Sequence, residues 1–127
     1  MPKLIALICK KPEISEEDFQ SYYEDKHVPL IKCIFPSLTG YKRTYLLESK
    51  LLHGEFSLDP INQNTRFNVI TELSFDNNEG LNQFFEIAAK DDIVKRIRKD
   101  EKNFLDSRKT IMFRIDKFCT WQLLLPC

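Results

Sequence analysis

The sequence predicts one α+β domain over residues 1–127, with a four-stranded antiparallel sheet and helices on one face of it. Three observations lead there. Residues 4–9 form an apolar run that is short enough for a strand and too short for a membrane span. Residues 67–75 alternate, with Phe67, Val69, Thr71, Leu73 and Phe75 on one side, which is the period of a pleated strand. Two further stretches repeat apolar residues at helical spacing, one after each of these strands.

The first strand covers residues 3–10. Leu4, Ala6 and Ile8 point one way and Ile5, Leu7 and Cys9 the other, so both faces are apolar and both need cover. Ser15 then opens a helix. It forms a variant capping box with Asp18, and Glu16 and Glu17 lie at the positive end of the helix dipole. Phe19, Tyr23, His27, Leu30 and Ile34 continue the helical pattern. Pro29 inside it removes one backbone donor, which predicts a kink or an end near Val28.

Pro36 to Gly40 read as a turn and residues 41–48 as the second strand, with Tyr41, Arg43, Tyr45 and Leu47 on one face. A polar loop, residues 49–65, carries His53 and is long enough to suggest a functional or mobile segment. The third strand covers residues 66–75. A turn at residues 76–80 starts a helix through Leu81, Phe84, Phe85 and Ala88. Asp91 or Asp92 caps a second helical segment bearing Ile93, Ile97, Phe104 and Leu105. Residues 109–115 make the fourth strand, and residues 121–125 an apolar tail that suits an extra edge strand.

The resulting order, βαββαβ, is the ferredoxin-like split βαβ arrangement. Right-handed crossovers put both helical regions on one sheet face and leave the other bare. A second copy of the chain is the simplest cover for it, so a homodimer is expected.

With 19 basic and 19 acidic residues the formal net charge is zero, which argues against a nucleic-acid partner and gives no reason to expect membrane binding. The four cysteines have no CxxC spacing and only two histidines are present, so no metal site is expected. The N-terminal run lacks a cleavage signal, and a cytoplasmic protein with reduced cysteines is the expectation. The three glycines cannot form a dinucleotide or phosphate loop, and there is no GxSxG or HExxH motif. No cofactor is therefore expected, and any catalysis would rest on acid/base side chains.

Two segments can carry such chemistry. With Phe19 at zero on a helical projection, Tyr23 falls at about 40 degrees and His27 at about 80, on the apolar face. A histidine there is either a satisfied core residue or a general acid/base with a pKa suited to neutral pH. With Ile93 at zero, Asp100 falls at about 340 degrees and Glu101 at about 80, so both flank the apolar stripe that includes Phe104. Each is either a rim carboxylate paired with Lys or Arg, or an assistant to His27 in a shared pocket; the angle slightly favours Glu101. Tyr23, Tyr41, Arg43, Tyr45 and Phe104 are candidate substrate-binding residues; for Tyr41, Arg43 and Tyr45 ordinary cross-strand packing is the alternative.

Phe19, Tyr22-Tyr23-Glu24 and His27-Val28-Pro29-Leu30 after the first strand resemble the signature of the EthD family. The likeness extends to Gly40-Tyr41, to residues 67–75, and to Asp100-Glu101 with Phe104-Leu105-Asp106. It implies a dimeric α/β barrel of ferredoxin-like protomers, each with a pocket between sheet and helices. Some members are linked to ether-degradation gene sets; others, mainly fungal, act as cofactor-free dehydratases or cyclases on polyketide-like substrates.

Three functions follow as expectations. The first is a cofactor-independent lyase for a small hydrophobic molecule, with His27 moving the proton, Asp100 or Glu101 assisting, and Tyr23 or Tyr45 orienting a carbonyl. The second is a non-catalytic carrier using the same pocket. The third is a haem-binding or cofactor-free monooxygenase with His27 as ligand or base. A Soret band separates the third, and turnover of a co-purifying ligand separates the first two.

Overall fold

The computed structural model describes residues 1–48, 50, 52–56 and 67–119. The apolar tail, Cys127 and most of the loop at residues 49–65 lie outside the described residues. Strands β1 (Lys3–Ile8), β2 (Gly40–Tyr45), β3 (Val69–Ser74) and β4 (Ile111–Ile115) form one sheet in the order β2-β3-β1-β4. Every neighbouring pair is antiparallel, with Ile5 opposite both Glu72 and Phe113. The expected fold class and sequential βαββαβ order are therefore the observed ones.

All four strands are shorter than expected; β1 stops at Ile8 and β3 spans only Val69–Ser74. β2 stops at Tyr45, although the Leu46 N–H still reaches the Asn68 carbonyl at 2.9 Å. β4 begins only at Ile111, because Lys109 and Thr110 are held in a turn by N–H donation to the Asp106 carbonyl.

Helix α1 (Glu16–Tyr22) is capped by Ser15, whose Oγ accepts from the Asp18 N–H at 3.0 Å. It passes without a break through a π-turn, Tyr23–His27, into α2 (Val28–Ile34). Pro29 thus does not end the helical run near Val28; it occupies the first turn of α2, directly after the π-turn. Helix α3 (Asn78–Ala88) is capped by Asn77, which accepts from the Gly80 N–H at 2.9 Å. Helix α4 (Asp91–Glu101) differs from expectation at both ends. Lys90 holds the cap position, and Asp91 and Asp92 lie in the first turn, where they complement the dipole. The helix ends at Glu101, so Phe104 and Leu105 belong to the following turn and not to a helical stripe.

That turn is stitched to the segment after β1. The Lys11 N–H donates to the Phe104 carbonyl at 3.0 Å and the Asp106 N–H to the Cys9 carbonyl at 2.8 Å. Two apolar clusters lie between sheet and helices. One joins Leu4 and Leu73 to Ile31, Ile34, Leu81 and Phe84, so α2 and α3 cover the same sheet face. The other joins Ala6, Ile8 and Val69 to Phe19, Tyr23, Val28 and Phe104. The opposite sheet face carries Ile5, Leu7, Ile70, Ile111 and Phe113; Ile5 and Leu7 are half-buried and Phe113 remains 46% exposed. No helix among the described residues is long and apolar enough to cross a membrane.

Candidate active site

The π-turn delivers the central side chains. An uninterrupted α-helix would require an N–H at residue 29 for the carbonyl of Asp25, and proline has none. The chain instead widens by one residue, and the Val28 N–H bonds to the Tyr23 carbonyl five positions back. The extra residue turns His27 and Val28 both inward, and His27 is only 6% exposed. Helical phase alone predicted the burial of His27; it did not predict that of Val28.

His27 Nδ1 lies 2.7 Å from Asp100 Oδ2. The other oxygen of Asp100 accepts from the Tyr22 hydroxyl at 2.7 Å, and Tyr22 accepts in turn from Asn103 Nδ2 at 2.9 Å. The imidazole ring is 4.8 Å from the Phe104 ring and meets Tyr23 edge-on at 5.4 Å. Phe104 itself is fully buried. Nε2 has no hydrogen-bonding partner among the described residues. Yet no fully buried side-chain nitrogen or oxygen among them lacks one, so Nε2 is not sealed from solvent.

Burial lowers the pKa of His27 below its ordinary 6.5, opposed by the hydrogen bond and charge of Asp100. The imidazole is therefore neutral at pH 7. With Nδ1–H donated to a carboxylate, the lone pair resides on Nε2. A neutral imidazole held in one tautomer by a carboxylate is an arrangement that can take and return a proton.

The two candidate carboxylates separate clearly. Asp100 touches His27, whereas Glu101, slightly favoured by helical angle, makes no hydrogen bond to it. The angle measured distance from the apolar stripe and held no information on which flank faces the π-turn. Burial, and then the neighbouring Asp100 charge, raises the pKa of Glu101.

Tyr41, Arg43 and Tyr45 gather beside this pair around Tyr23 and Glu24. Arg43 grips Glu24 through Nε at 2.9 Å and through a second guanidinium nitrogen, and Tyr45 donates to Glu24 at 2.6 Å. The Tyr23 and Thr71 hydroxyls are 2.6 Å apart, and Tyr41 donates to Tyr23 at 3.3 Å. Burial raises the phenols of Tyr23, Tyr41 and Tyr45 above their usual range, so all three stay protonated. Their polar groups are spent on one another, and their most evident role is to fasten the π-turn to β2 and β3.

Sequence reasoning assigned no site role to Tyr22, Glu24, Thr71 or Asn103. Thr71 offered a faint signal, as the lone hydroxyl on the alternating face of the third strand; the other three are visible only through tertiary contacts. A groove of about 770 Å3 lined by Met1, Pro2, Leu81, Arg114 and Phe118 contains none of the candidate residues. No cluster of three metal-ligating side chains occurs among the described residues.

The sequence model of the EthD domain matches residues 11–108. Among solved structures, the fold is similar to that of an ethyl tert-butyl ether D (EthD) family protein from Bacillus halodurans, with TM-score 0.59 and 24% identity over 93% of this chain and 99% of that one. It is also similar to the Arabidopsis thaliana protein At3g17210, with TM-score 0.62 and 15% identity over 96% of this chain and 100% of that one. HapK from Hahella chejuensis matches with TM-score 0.54 and 8% identity over 96% and 100%. At such identities the likeness speaks to fold alone. No curated protein matches the chain.

Proposed function

The chain belongs to the EthD domain family, and from that premise we propose that it is a cofactor-independent lyase, a dehydratase or cyclase acting on a small hydrophobic, polyketide-like molecule. The observation that carries this reading is the His27–Asp100 pair: a neutral imidazole, bound on Nδ1 at 2.7 Å, with Nε2 free of any partner among the described residues. In a dehydration, Nε2 removes a proton from carbon next to a carbonyl. The imidazolium, balanced by Asp100, returns that proton to the leaving hydroxyl; the C–O bond breaks, water departs and a C=C bond forms. Half-buried Tyr22, stacked on the buried Phe104 ring, supplies apolar surface for the substrate to lie against. This assigns proton transfer to His27 and orientation of its ring to Asp100.

The same reading makes the protein a homodimer through the open sheet face, which holds Ile5, Leu7, Ile70, Ile111 and Phe113. It places the protein in the cytoplasm, where the thiols of Cys9, Cys33 and Cys119 would stay reduced.

The test begins with mass spectrometry of any small molecule released from the purified, denatured protein. Turnover of that molecule is then compared between wild type and His27→Ala. The expected loss is about 10²- to 10⁴-fold, the usual share of a general acid/base. A folded His27→Ala protein with full turnover overturns the proposal. A wild type that binds its ligand and never converts it points to a carrier.

A further inference from the structure

We infer that Tyr22 is a positioning residue that, oriented by Asn103, holds Asp100 so that His27 keeps its proton on Nδ1 and its lone pair on Nε2. The inference deepens the proposed function and rests on it for its purpose, although its geometry stands independently. The four residues come from two places in the chain. Tyr22 ends α1 and His27 ends the π-turn that follows, while Asp100 lies in the last turn of α4 and Asn103 in the turn after it.

The direction of each hydrogen bond is determined by elimination. Asn103 Nδ2 has only protons to offer, so the Tyr22 oxygen accepts from it at 2.9 Å. The phenol proton is thereby turned away from Asn103 and toward Asp100 Oδ1, 2.7 Å distant. The carboxylate then has one oxygen fixed by Tyr22, and its other oxygen is presented to His27 Nδ1 at 2.7 Å. The Tyr22 ring is itself immobilised, stacked on Phe104 with centroids 5.3 Å apart and planes 28° from parallel. Phe104 also abuts His27, so one buried ring fixes the planes of both partners. Burial, and then its bond to Asp100, raises the Tyr22 pKa, so the phenol remains a donor at neutral pH.

Without this donor Asp100 is freer to rotate away from Nδ1, which loosens both its hold on the Nδ1 proton and its stabilisation of an imidazolium. The other charged groups near the pair are Glu101 and Arg98 on α4, with Glu24 and Arg43 beyond Tyr23, and Tyr22→Phe alters none of them.

Ring-nitrogen NMR on the resting protein tests this without substrate. The chain has two histidines, and exposed His53 serves as internal reference. Wild-type His27 should be neutral at pH 7 in the Nδ1–H form. Tyr22→Phe keeps the stacked ring; it should populate the Nε2–H form and lower the His27 titration midpoint by roughly one unit, about the size of one hydrogen bond to a charged group. Asn103→Ala should shift it in the same direction by less. An unchanged His27 tautomer and midpoint in Tyr22→Phe overturns the inference. Should Tyr22→Phe not fold, Asn103→Ala decides by the same readout. If the tautomer shifts while His27→Ala retains full turnover, the relay stands and the lyase reading falls.

Discussion

Asp100 Oδ2 meets His27 Nδ1 at 2.7 Å, and its other oxygen is already taken by Tyr22, so the carboxylate has no freedom to turn. This makes Asp100→Asn more damaging than loss of charge alone. Tyr22 needs an acceptor, which aims the amide oxygen at Tyr22 and the amide NH2 at His27. That NH2 donates to Nδ1 and forces the proton onto Nε2, the wrong tautomer for a base. Turnover should fall about 10²-fold or more in Asp100→Asn and little in Glu101→Gln. Steady-state kinetics of the two variants at one pH checks it; equal losses would show that Glu101 shares the role.

The acid side of the stability profile should follow three groups. His27 has a folded pKa below its ordinary 6.5, so its contribution is complete above pH 6.5 and is lost as pH falls through the lower folded value. Glu24, lowered first by its bond to Arg43, contributes above 4.5 and fades below it. Glu101 has the opposite sign: its raised pKa favours the folded state below 4.5, and that benefit is lost as pH rises through the folded value. Urea midpoints measured from pH 7 down to pH 5 should therefore decline less in His27→Gln than in wild type, and more steeply in Glu101→Gln.

Arg43→Met should cost about 1–2 kcal/mol, because it strips Glu24 of two hydrogen bonds and leaves a half-buried carboxylate with only Tyr45. Glu24→Gln/Arg43→Met should cost less than the sum of the single changes, since the second substitution removes a group already unpaired. Chemical denaturation of the three variants gives the coupling; strict additivity would mean the clamp contributes nothing to the π-turn.

Phe104→Leu should destabilise by about 1–2 kcal/mol and Phe104→Ala by about 3–5 kcal/mol. The ring is fully buried and touches Phe19, Tyr22, Tyr23 and His27. Total stability of such a domain is about 5–15 kcal/mol, so Leu is the variant to assay for both stability and turnover. A change below about 0.5 kcal/mol in Phe104→Leu would mean that the surrounding rings repack freely.

What the sequence reveals here follows from how local each signal is. The alternation through Val69, Thr71 and Leu73, the Ser15 cap and the inward phase of His27 each depend on a few neighbouring residues, and all are present in the fold. Pro29 signalled that the α-helix would be disturbed; it did not signal that the remedy would be a π-turn, since that choice depends on Glu24 and Tyr23 being fastened to β2 and β3. The end of α4 was misplaced because Phe104 falls at a helical angle by coincidence, while its carbonyl is bonded to Lys11 far away in sequence. The sequence leaves the partner of His27 open between two adjacent carboxylates, because a projection of one helix says nothing about where the next helix lies.

The last prediction concerns the open sheet face. Phe113 and Ile111 on β4 remain 46% and 45% exposed, and they share that face with Ile5 and Leu7 on β1 and Ile70 on β3. Lys42 and Glu72 border it, so the face has an apolar centre and a charged margin toward β2. Exposed clusters of this kind mark association surfaces. Phe113→Asp introduces a charge where a partner's apolar residues would press, at a position open enough that the isolated fold should lose no more than about 0.5–1 kcal/mol. Light scattering at micromolar concentration should give a dimer for wild type and a monomer for Phe113→Asp, with the same far-ultraviolet circular dichroism. The Nε2 side of His27 is on the opposite, helix-covered face, so the monomeric variant should keep the His27 titration of wild type. A monomeric wild type, or a Phe113→Asp protein that remains dimeric, would show that this face is not where two copies meet.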